Sequence, residues 1–199
     1  MNGSRLMHLL ATMGCGLLMV CCSSLQAPVT VPAFDAGALT RAAKDGIELA
    51  VKAICGEDDY LDLFDEDLPK SGIVALWVQM RNAGSARVEP NVREWSLQIG
   101  ARSYSALSLD ELFRRYQRAN RIRMVAAQTE GAAKQNMERV SFRGNVLGPA
   151  AICEGFVFFR IDPALAPGWT RSASLRARNI RIGPRNRTSI EILLPHAGP

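Results

Sequence analysis

Few residues in this 199-residue chain could carry catalytic chemistry. Histidine occurs only at His8, inside the apolar N-terminus, and at His196, in a Pro- and Gly-containing tail. A nucleophilic triad needs an imidazole held in a fixed orientation, which a chain end does not provide. The sequence also lacks G-x-S-x-G, H-E-x-x-H and Walker-type motifs. These enzyme classes are therefore disfavoured.

Carboxylates are the remaining candidates for catalysis. A hydrolase that acts on glycans needs two acids facing one cleft, about 5–9.5 Å apart. Glu94 and Glu111 are candidates for such a pair, but nothing in their spacing selects them. An enzyme of this kind is the alternative to a non-enzymatic protein with a binding or structural role.

Cys55 and Cys153 are the two cysteines of the folded body. One ends a predicted strand and the other precedes one, so a disulfide between them is one prediction. Such a bond would close a loop of about 100 residues and contribute on the order of 4 kcal/mol. The alternative is two buried thiols that pack as small apolar groups. Two cysteines and a tail histidine are too few for a zinc site, and we predict no metal and no cofactor.

Seven carboxylates fall within residues 57–67. This run lacks the ligand order and central glycine of a calcium-binding EF-hand. Apolar residues are interleaved with the acids, which predicts a short amphipathic turn packed on a sheet, with the carboxylates in solvent. The apolar residues are Tyr60, Leu61, Leu63, Phe64 and Leu68.

The N-terminus has the composition of a secretory signal peptide. Arg5 makes the start positive, and the fifteen residues Leu6–Val20 contain no charge when His8 is neutral. A membrane-spanning helix needs about 20 apolar residues, so this length fits a signal better than a span. We predict an exported protein with a signal peptide over residues 1–21.

The residues after this apolar stretch resemble the lipobox of bacterial lipoproteins, in which a cysteine is lipidated once the signal is cleaved. Leu18 stands three residues before Cys21 and suits the motif, so Cys21 is the predicted lipidation site and Cys22 the alternative. The predicted location is the bacterial cell envelope, with the protein anchored to a membrane by lipid and facing the periplasm. Cleavage after Ser23 or Ser24 would instead give a soluble periplasmic protein.

Residues 22–39 hold Ser, Ala, Gly and Pro with a single charge, and no periodicity is present. We predict a flexible tether over this range. The body then comprises residues 40–199 as one domain, which is long enough to bury a sizeable core.

Arginine outnumbers lysine by 20 to 4, and the formal net charge is +5. Export makes nucleic acid an unsuitable partner for these charges. Two interpretations are open: solvated surface positions, or contacts with anionic lipid headgroups or with an acidic envelope protein. Six arginines lie from Arg171 to Arg187. A second cluster, on a predicted helix, comprises Arg114, Arg115, Arg118, Arg121 and Arg123.

Alternating apolar residues predict strands through most of the body. The alternation in 171–182 changes phase before Ile180, which predicts a bulge near Asn179. Strand 73–81 begins with apolar residues on both faces, which favours a central position. The predicted strands are 47–55, 73–81, 93–99, 156–161, 171–182 and 188–194. Their mostly antiparallel pattern predicts a β-sandwich.

A helical insertion at about 108–142 separates these strands. Ser108 and Glu111 form a capping box, and apolar residues follow at helical spacing. We predict a helix over 109–119, a second helix within 122–140, and a loop over 144–154.

Together with the lipobox-like sequence, two segments resemble uncharacterised bacterial envelope lipoproteins with an immunoglobulin-like β-sandwich. They are Gly72–Asn82 (GIVALWVQMRN) and Gly155–Phe159 (GFVFF), and Ser103–Ser108 (SYSALS) leads into the helical segment. The resemblance covers about residues 45–195. It implies a mainly β, immunoglobulin-like antiparallel sandwich in the cell envelope, and it implies no known activity. We therefore expect a non-enzymatic envelope lipoprotein with a binding or structural role.

Overall fold

The computed structural model describes residues 27–120 and 127–195, and for 116–120, 127–130 and 133 it describes the backbone alone. Within these residues the chain forms nine strands and three helices. The strands are β1 (Thr40–Lys44), β2 (Ile47–Ala53), β3 (Ile73–Asn82), β4 (Val88–Glu89), β5 (Ser96–Ile99), β6 (Arg102–Ser105), β7 (Ile152–Arg160), β8 (Ala173–Ile182) and β9 (Asn186–Leu193). The helices are α1 (Glu57–Phe64), α2 (Leu109–Asn120) and α3 (Ala127–Val140).

The strands form two sheets in which every pairing is antiparallel. The first sheet has the order β1-β2-β3-β7. In the second sheet, β9 pairs with one edge of β8, and β4 and β5 pair with the other edge. β6 extends this sheet beyond β5. The two sheets pack face to face as a sandwich, which confirms the predicted fold class, while the finer immunoglobulin-like assignment stays a prediction.

The helices form a third layer, on the face of the first sheet that is turned away from the second sheet. α1 connects β2 to β3, and α2 and α3 lie between β6 and β7, as predicted for a helical insertion. The first sheet is therefore covered on both faces, and each face has its own apolar core.

β3 shows how one strand serves both cores. Val74, Leu76 and Val78 are fully buried between the two sheets, in what we call the inter-sheet core. Ile73 and Trp77 point to the helices and belong to the helix-side core. The described members of the helix-side core are Ala27, Ile54, Tyr60, Phe64, Leu68, Ile73, Ala75, Trp77, Leu112, Phe113, Met137, Val140, Phe156 and Phe158.

Most predicted strands are present, and the differences lie at their ends. The predicted bulge is confirmed, because the β8–β9 register shifts between Ala177 and Ile180 and Asn179 has a φ of 53°. The predicted strand 93–99 begins as a 3₁₀ turn at Val92–Glu94, and only Ser96–Ile99 is extended. β7 begins at Ile152, inside the predicted loop.

The predicted flexible tether of residues 22–39 includes residues that in fact pack on the domain. Ala27 is only 7% exposed within the helix-side core, and Val31 and Leu39 pack against that core. The Phe34 ring lies 5.1 Å from the Trp77 ring in an edge-to-face contact. Residues 27–39 therefore lie on the first sheet, because tertiary contacts with aromatic side chains hold a segment that has no periodic pattern of its own.

A buried amide joins the loops at one end of the sandwich. The side chain of Asn82 is fully buried, and its Nδ2 donates to the carbonyl oxygens of Ala86, Leu147 and Gly148 at 2.8–3.2 Å. Its Oδ1 accepts from Gly84 N at 3.0 Å. All the hydrogen-bonding capacity of this amide is thus directed at backbone groups.

Candidate functional site

The candidate site lies at the outer edge of β7, where the chain leaves the second sheet for the helical insertion. Ala106 N donates to Trp95 O at 3.0 Å, which is a contact with the second sheet. The next residue, Leu107, donates its N–H to Phe158 O of β7 at 2.8 Å. The chain therefore crosses from one sheet to the other within two residues and covers part of the β7 edge.

The helical insertion returns to the same edge. Phe142 N donates to Phe156 O at 2.9 Å, just after α3 ends. Gly155 has a φ of 157°, and a Cβ at this position would collide with the backbone of Ser141 and Phe142. A glycine is required here because the returning chain approaches the strand so closely.

Between these two crossings lies an open groove of about 480 Å³. Its apolar lining includes Val92, Leu107 and Phe142. Its polar side chains include Arg93, Glu138 and Arg143. This volume falls in the range of small-molecule sites, which are typically apolar with a few polar groups.

The charges at the groove are mainly positive. Arg93 and Arg143 are exposed, and the Nε of Arg143 donates to the backbone oxygen of Glu138 at 2.9 Å. Guanidinium groups bind carboxylates and phosphates through paired N–H donors. The groove therefore suits a ligand with an apolar body and an anionic group. Sequence reasoning missed both arginines, since neither belongs to a cluster or a periodic pattern.

The structure tests only part of the predicted arginine cluster on α2. Arg114 is exposed, and its Nε donates to Asp110 O at 3.1 Å. Arg115 is half-buried. The side chain of Arg118, and Arg121 and Arg123 entirely, lie outside the described residues. The partner of this cluster stays a prediction.

The two candidate catalytic carboxylates are engaged in separate local hydrogen bonds. Glu94 accepts from the side-chain amides of Asn91 at 3.2 Å and Asn179 at 3.0 Å. Glu111 accepts from Ser108 N at 3.2 Å in the predicted capping box, and this hydrogen bond lowers the pKa of Glu111. Neither carboxylate lines the groove, where Glu138 is the acid.

The predicted disulfide is wrong. Cys55 and Cys153 are free thiols at opposite ends of the first sheet. Ile54 N donates to Ala75 O, whereas Cys153 pairs with Met80, so several residues of β3 at about 3.3 Å each separate the two cysteines. Burial raises the pKa of each thiol, which fits the alternative of two packed, unreactive thiols.

The acidic run forms α1 and the turn that follows it, as predicted. Tyr60 and Phe64 are fully buried against the sheet, while most of the acidic residues are exposed and Glu66 and Asp67 are partly buried. The ammonium group of Lys70 lies 2.6 Å from Asp67 and 3.1 Å from Glu57, and these carboxylates raise the pKa of Lys70. Across the ranges 27–120 and 127–195, the structure contains no cluster of three or more His, Cys, Asp or Glu side chains that could hold a metal ion.

The predicted anchor lies outside the described part of the chain. This applies to the signal peptide over residues 1–21, to Cys21 and to Cys22, which all stay predictions. Within the part that is described, no helix combines the length and the apolar character needed to cross a membrane.

Comparisons with known proteins find only weak similarity to solved structures and no similarity in sequence. No family model matches the sequence, and no curated protein matches it. A protein of unknown function from Listeria monocytogenes has 11% identity and a TM-score of 0.42, over 86% of this chain and 89% of that one. A candidate lipoprotein, ycdA, from Bacillus subtilis has 11% identity and a TM-score of 0.40, over 77% of this chain and 38% of that one.

Proposed function

We propose that this protein is a non-enzymatic exported lipoprotein of the bacterial cell envelope, anchored through Cys21, and that its sandwich domain binds an anionic, partly apolar ligand. The groove at the β7 edge is the observation that carries the binding role. Its lining combines apolar side chains with two exposed arginines, Arg93 and Arg143.

The anchoring role rests on the sequence before the domain. An uncharged stretch of fifteen residues ends at Val20, directly before Cys21, and Leu18 has the lipobox spacing. A single acyl chain binds a membrane only marginally, whereas two chains give stable attachment. Lipidation of Cys21 with more than one chain would therefore keep the domain in the envelope.

The environment of the carboxylates supports binding over hydrolysis. A general acid that works near neutral pH needs a raised pKa. The pKa of Glu111 is instead lowered, because its carboxylate accepts hydrogen bonds from Ser108. Glu94 accepts two hydrogen bonds from asparagine side chains and does not line the groove.

The anchor is tested by the intact mass of the mature protein purified from host membranes. We expect a chain that begins at Cys21 and carries acyl chains, and we expect Cys21→Ala to abolish both the added mass and the membrane association. Cys22→Ala is the matched control and should keep both. An unmodified chain beginning after Ser23 or Ser24 would overturn the anchoring proposal and favour a soluble periplasmic protein.

The groove is tested with laurate, an anionic probe with an apolar chain. The Trp95 ring lies 5.1 Å from the Phe142 ring, which lines the groove, so tryptophan fluorescence should report binding. We expect the double variant Arg93→Gln, Arg143→Gln to weaken laurate binding at least about tenfold, the value of one lost charge-assisted contact of about 1.4 kcal/mol.

The control for this titration is Arg139→Gln, because Arg139 is exposed on α3 and does not line the groove. It should bind laurate as the unmodified protein does. Equal binding by all three proteins would overturn the groove as the site.

A second candidate role follows from the exposed guanidinium of Arg114 on α2. In this alternative the arginine cluster of that helix contacts anionic lipid headgroups. Replacing Arg114 and Arg115 with Gln would then weaken binding to phosphatidylglycerol vesicles and leave laurate binding unchanged.

A further inference from the structure

We propose that the N-terminal anchor holds the helical layer of the domain close to the bilayer, with the outer face of the second sheet directed away from it. This inference rests on the proposed lipidation of Cys21. Its basis in the structure is the place at which the N-terminal segment first packs on the domain.

The number of residues between the anchor and the domain limits how far the domain can move from the membrane. A free tether over residues 22–39 would let the domain move about 60 Å from the membrane, at about 3.3–3.6 Å per residue. The structure places Ala27 in the helix-side core, with 7% of its surface exposed. Five residues then separate Cys21 from Ala27, and the six Cα–Cα steps between these two positions span at most about 22 Å.

The packed segment is held on the helix side by several contacts. The Phe34 ring lies 5.1 Å from Trp77 and 6.4 Å from Phe156, and both partners point away from the second sheet. The ammonium group of Lys52 lies 4.5 Å from the centre of the Phe34 ring. Val31 and Leu39 pack against the same core. The attachment point is therefore fixed to one side of the domain.

The opposite side of the domain is much farther from the anchor. Packed sheets are separated by about 10 Å, and the helical layer adds its own thickness to this distance. Leu193 is 77% exposed and lies on β9 of the second sheet. Leu61 is 43% exposed and lies on α1.

α1 lies beside the packed segment, because the rings of Phe64 and Phe34 both contact Phe156. Leu61 is on the same helix as Phe64, one turn earlier. Leu61 and Leu193 thus provide two exposed leucines, one close to the predicted membrane side and one on the far side.

A pair of fluorescent probes tests this orientation. Leu61→Cys and Leu193→Cys are made separately in a chain that carries Cys22→Ser, Cys55→Ser and Cys153→Ser, and each is labelled with bimane. The lipidated proteins are reconstituted into phosphatidylcholine vesicles that contain a lipid with a nitroxide headgroup. We expect the nitroxide to quench the probe at position 61 several-fold more than the probe at position 193.

A longer tether provides the matched control. Fifteen Gly and Ser residues inserted between Ser24 and Leu25 add about 20 Å of r.m.s. reach. This insertion should reduce the quenching difference between the two positions. Equal quenching in the protein without the insertion, or stronger quenching at position 193, would overturn the orientation.

The intact mass of each preparation separates the two proposals. A chain without acyl groups contradicts the lipoprotein proposal itself. A fully lipidated chain with equal quenching at both positions contradicts only the orientation.

Discussion

The two apolar cores of this protein are built from different chemistry. The inter-sheet core consists mainly of aliphatic residues from alternating strand positions. The helix-side core is rich in aromatic residues, and several of their rings meet edge to face. Ala75 N also donates a hydrogen bond of 2.9 Å to the buried hydroxyl of Tyr60.

The inter-sheet core therefore follows from strand periodicity, whereas the helix-side core depends on individual contacts between particular side chains. In the inter-sheet core, each strand contributes every second residue, so many similar contacts share the stabilisation. The helix-side core joins an N-terminal segment and three helices to one sheet face, and a few large rings make many of its contacts. Aromatic pairs contribute about 0.5–1.5 kcal/mol beyond the burial of their area, so single substitutions should have distinct effects there.

The largest expected effect is the loss of the Phe64 ring. Phe64 is fully buried and contacts Tyr60, Phe156 and Phe158. Phe64→Ala should lower the free energy of unfolding by about 4 kcal/mol, from lost burial and a cavity. Urea denaturation measures this change, and Leu61→Ala on the exposed side of α1 should cost under about 0.5 kcal/mol.

The shape of that transition also tests whether the two cores are one cooperative unit. β3 contributes to both cores, so fluorescence and circular dichroism should give the same midpoint for Phe64→Ala. Two separate transitions would show that the helical layer unfolds independently of the sandwich.

The second-largest expected effect is the loss of the buried Asn82 amide, which joins the loops at one end of the sandwich. Asn82→Ala removes the hydrogen bonds that the buried amide donates to three loop carbonyls and the one that it accepts from Gly84 N, so the loops at this end lose their shared polar contact. We expect a loss of about 3 kcal/mol in the free energy of unfolding. Thermal denaturation measures it, with the exposed Asn145→Ala as the control. A loss no larger than that of the control would contradict the structural role of Asn82.

Tyr60→Phe isolates the polar contact of the helix-side core. The substitution keeps the ring but removes the acceptor for Ala75 N, which stays buried. The expected cost is about 1–2 kcal/mol in urea denaturation. Amide exchange at Ala75 should accelerate more than exchange at Leu76, and unchanged exchange would argue against this hydrogen bond.

Ser108→Ala tests the start of α2 and should cost about 1 kcal/mol, as loss of an N-cap does. Hydrogen bonds to Ser108 lower the pKa of Glu111 in the folded state. The stabilisation is therefore present above the unfolded pKa of Glu and is lost as the pH falls through the folded pKa. The variant keeps the backbone N–H of residue 108, which is the larger cause of the lowered pKa, and loses the hydroxyl. The pKa of Glu111 should therefore rise only part of the way to its ordinary value, as measured by NMR titration, and an unchanged pKa would contradict the side-chain half of the capping box.

The smallest expected effect is that of a reductant. Because Cys55 and Cys153 are free thiols that border the inter-sheet core, reduction should change neither the intact mass nor the Tm. In the Cys22→Ala chain, where these are the only thiols that could pair within the mature protein, a gain of about two hydrogens or a fall in Tm would show that the two sheet ends approach each other.

Periodicity explains which parts of the fold were predictable. Val74, Leu76 and Val78 alternate along β3, and the phase change around Asn179 revealed a bulge without any structural information. Such patterns depend on neighbours within one element. The packing of Ala27 and Phe34 depends on rings contributed by distant strands, so the sequence of that segment indicated only a tether.

The groove was beyond sequence reasoning for a related reason. Its residues come from four stretches, 90–93, 106–109, 138–143 and 156–158, which meet only because the chain crosses between sheets. Arg93 and Arg143 are two among 20 arginines, and nothing local distinguishes them. Conversely, Cys55 and Cys153 were paired because they are the two cysteines of the predicted body, whereas in the first sheet they lie far apart.

The pairing of β3 with β7 also determines when the first sheet can be completed. Val78 pairs with Gly155, 77 residues later in the chain. At about 5–20 residues per second, synthesis of that interval takes about 4–15 s. Throughout this time one edge of a strand rich in branched aliphatic residues has no native partner, and such an edge can pair with another chain. Aggregation of the nascent protein should therefore depend on how quickly β7 follows the helical insertion.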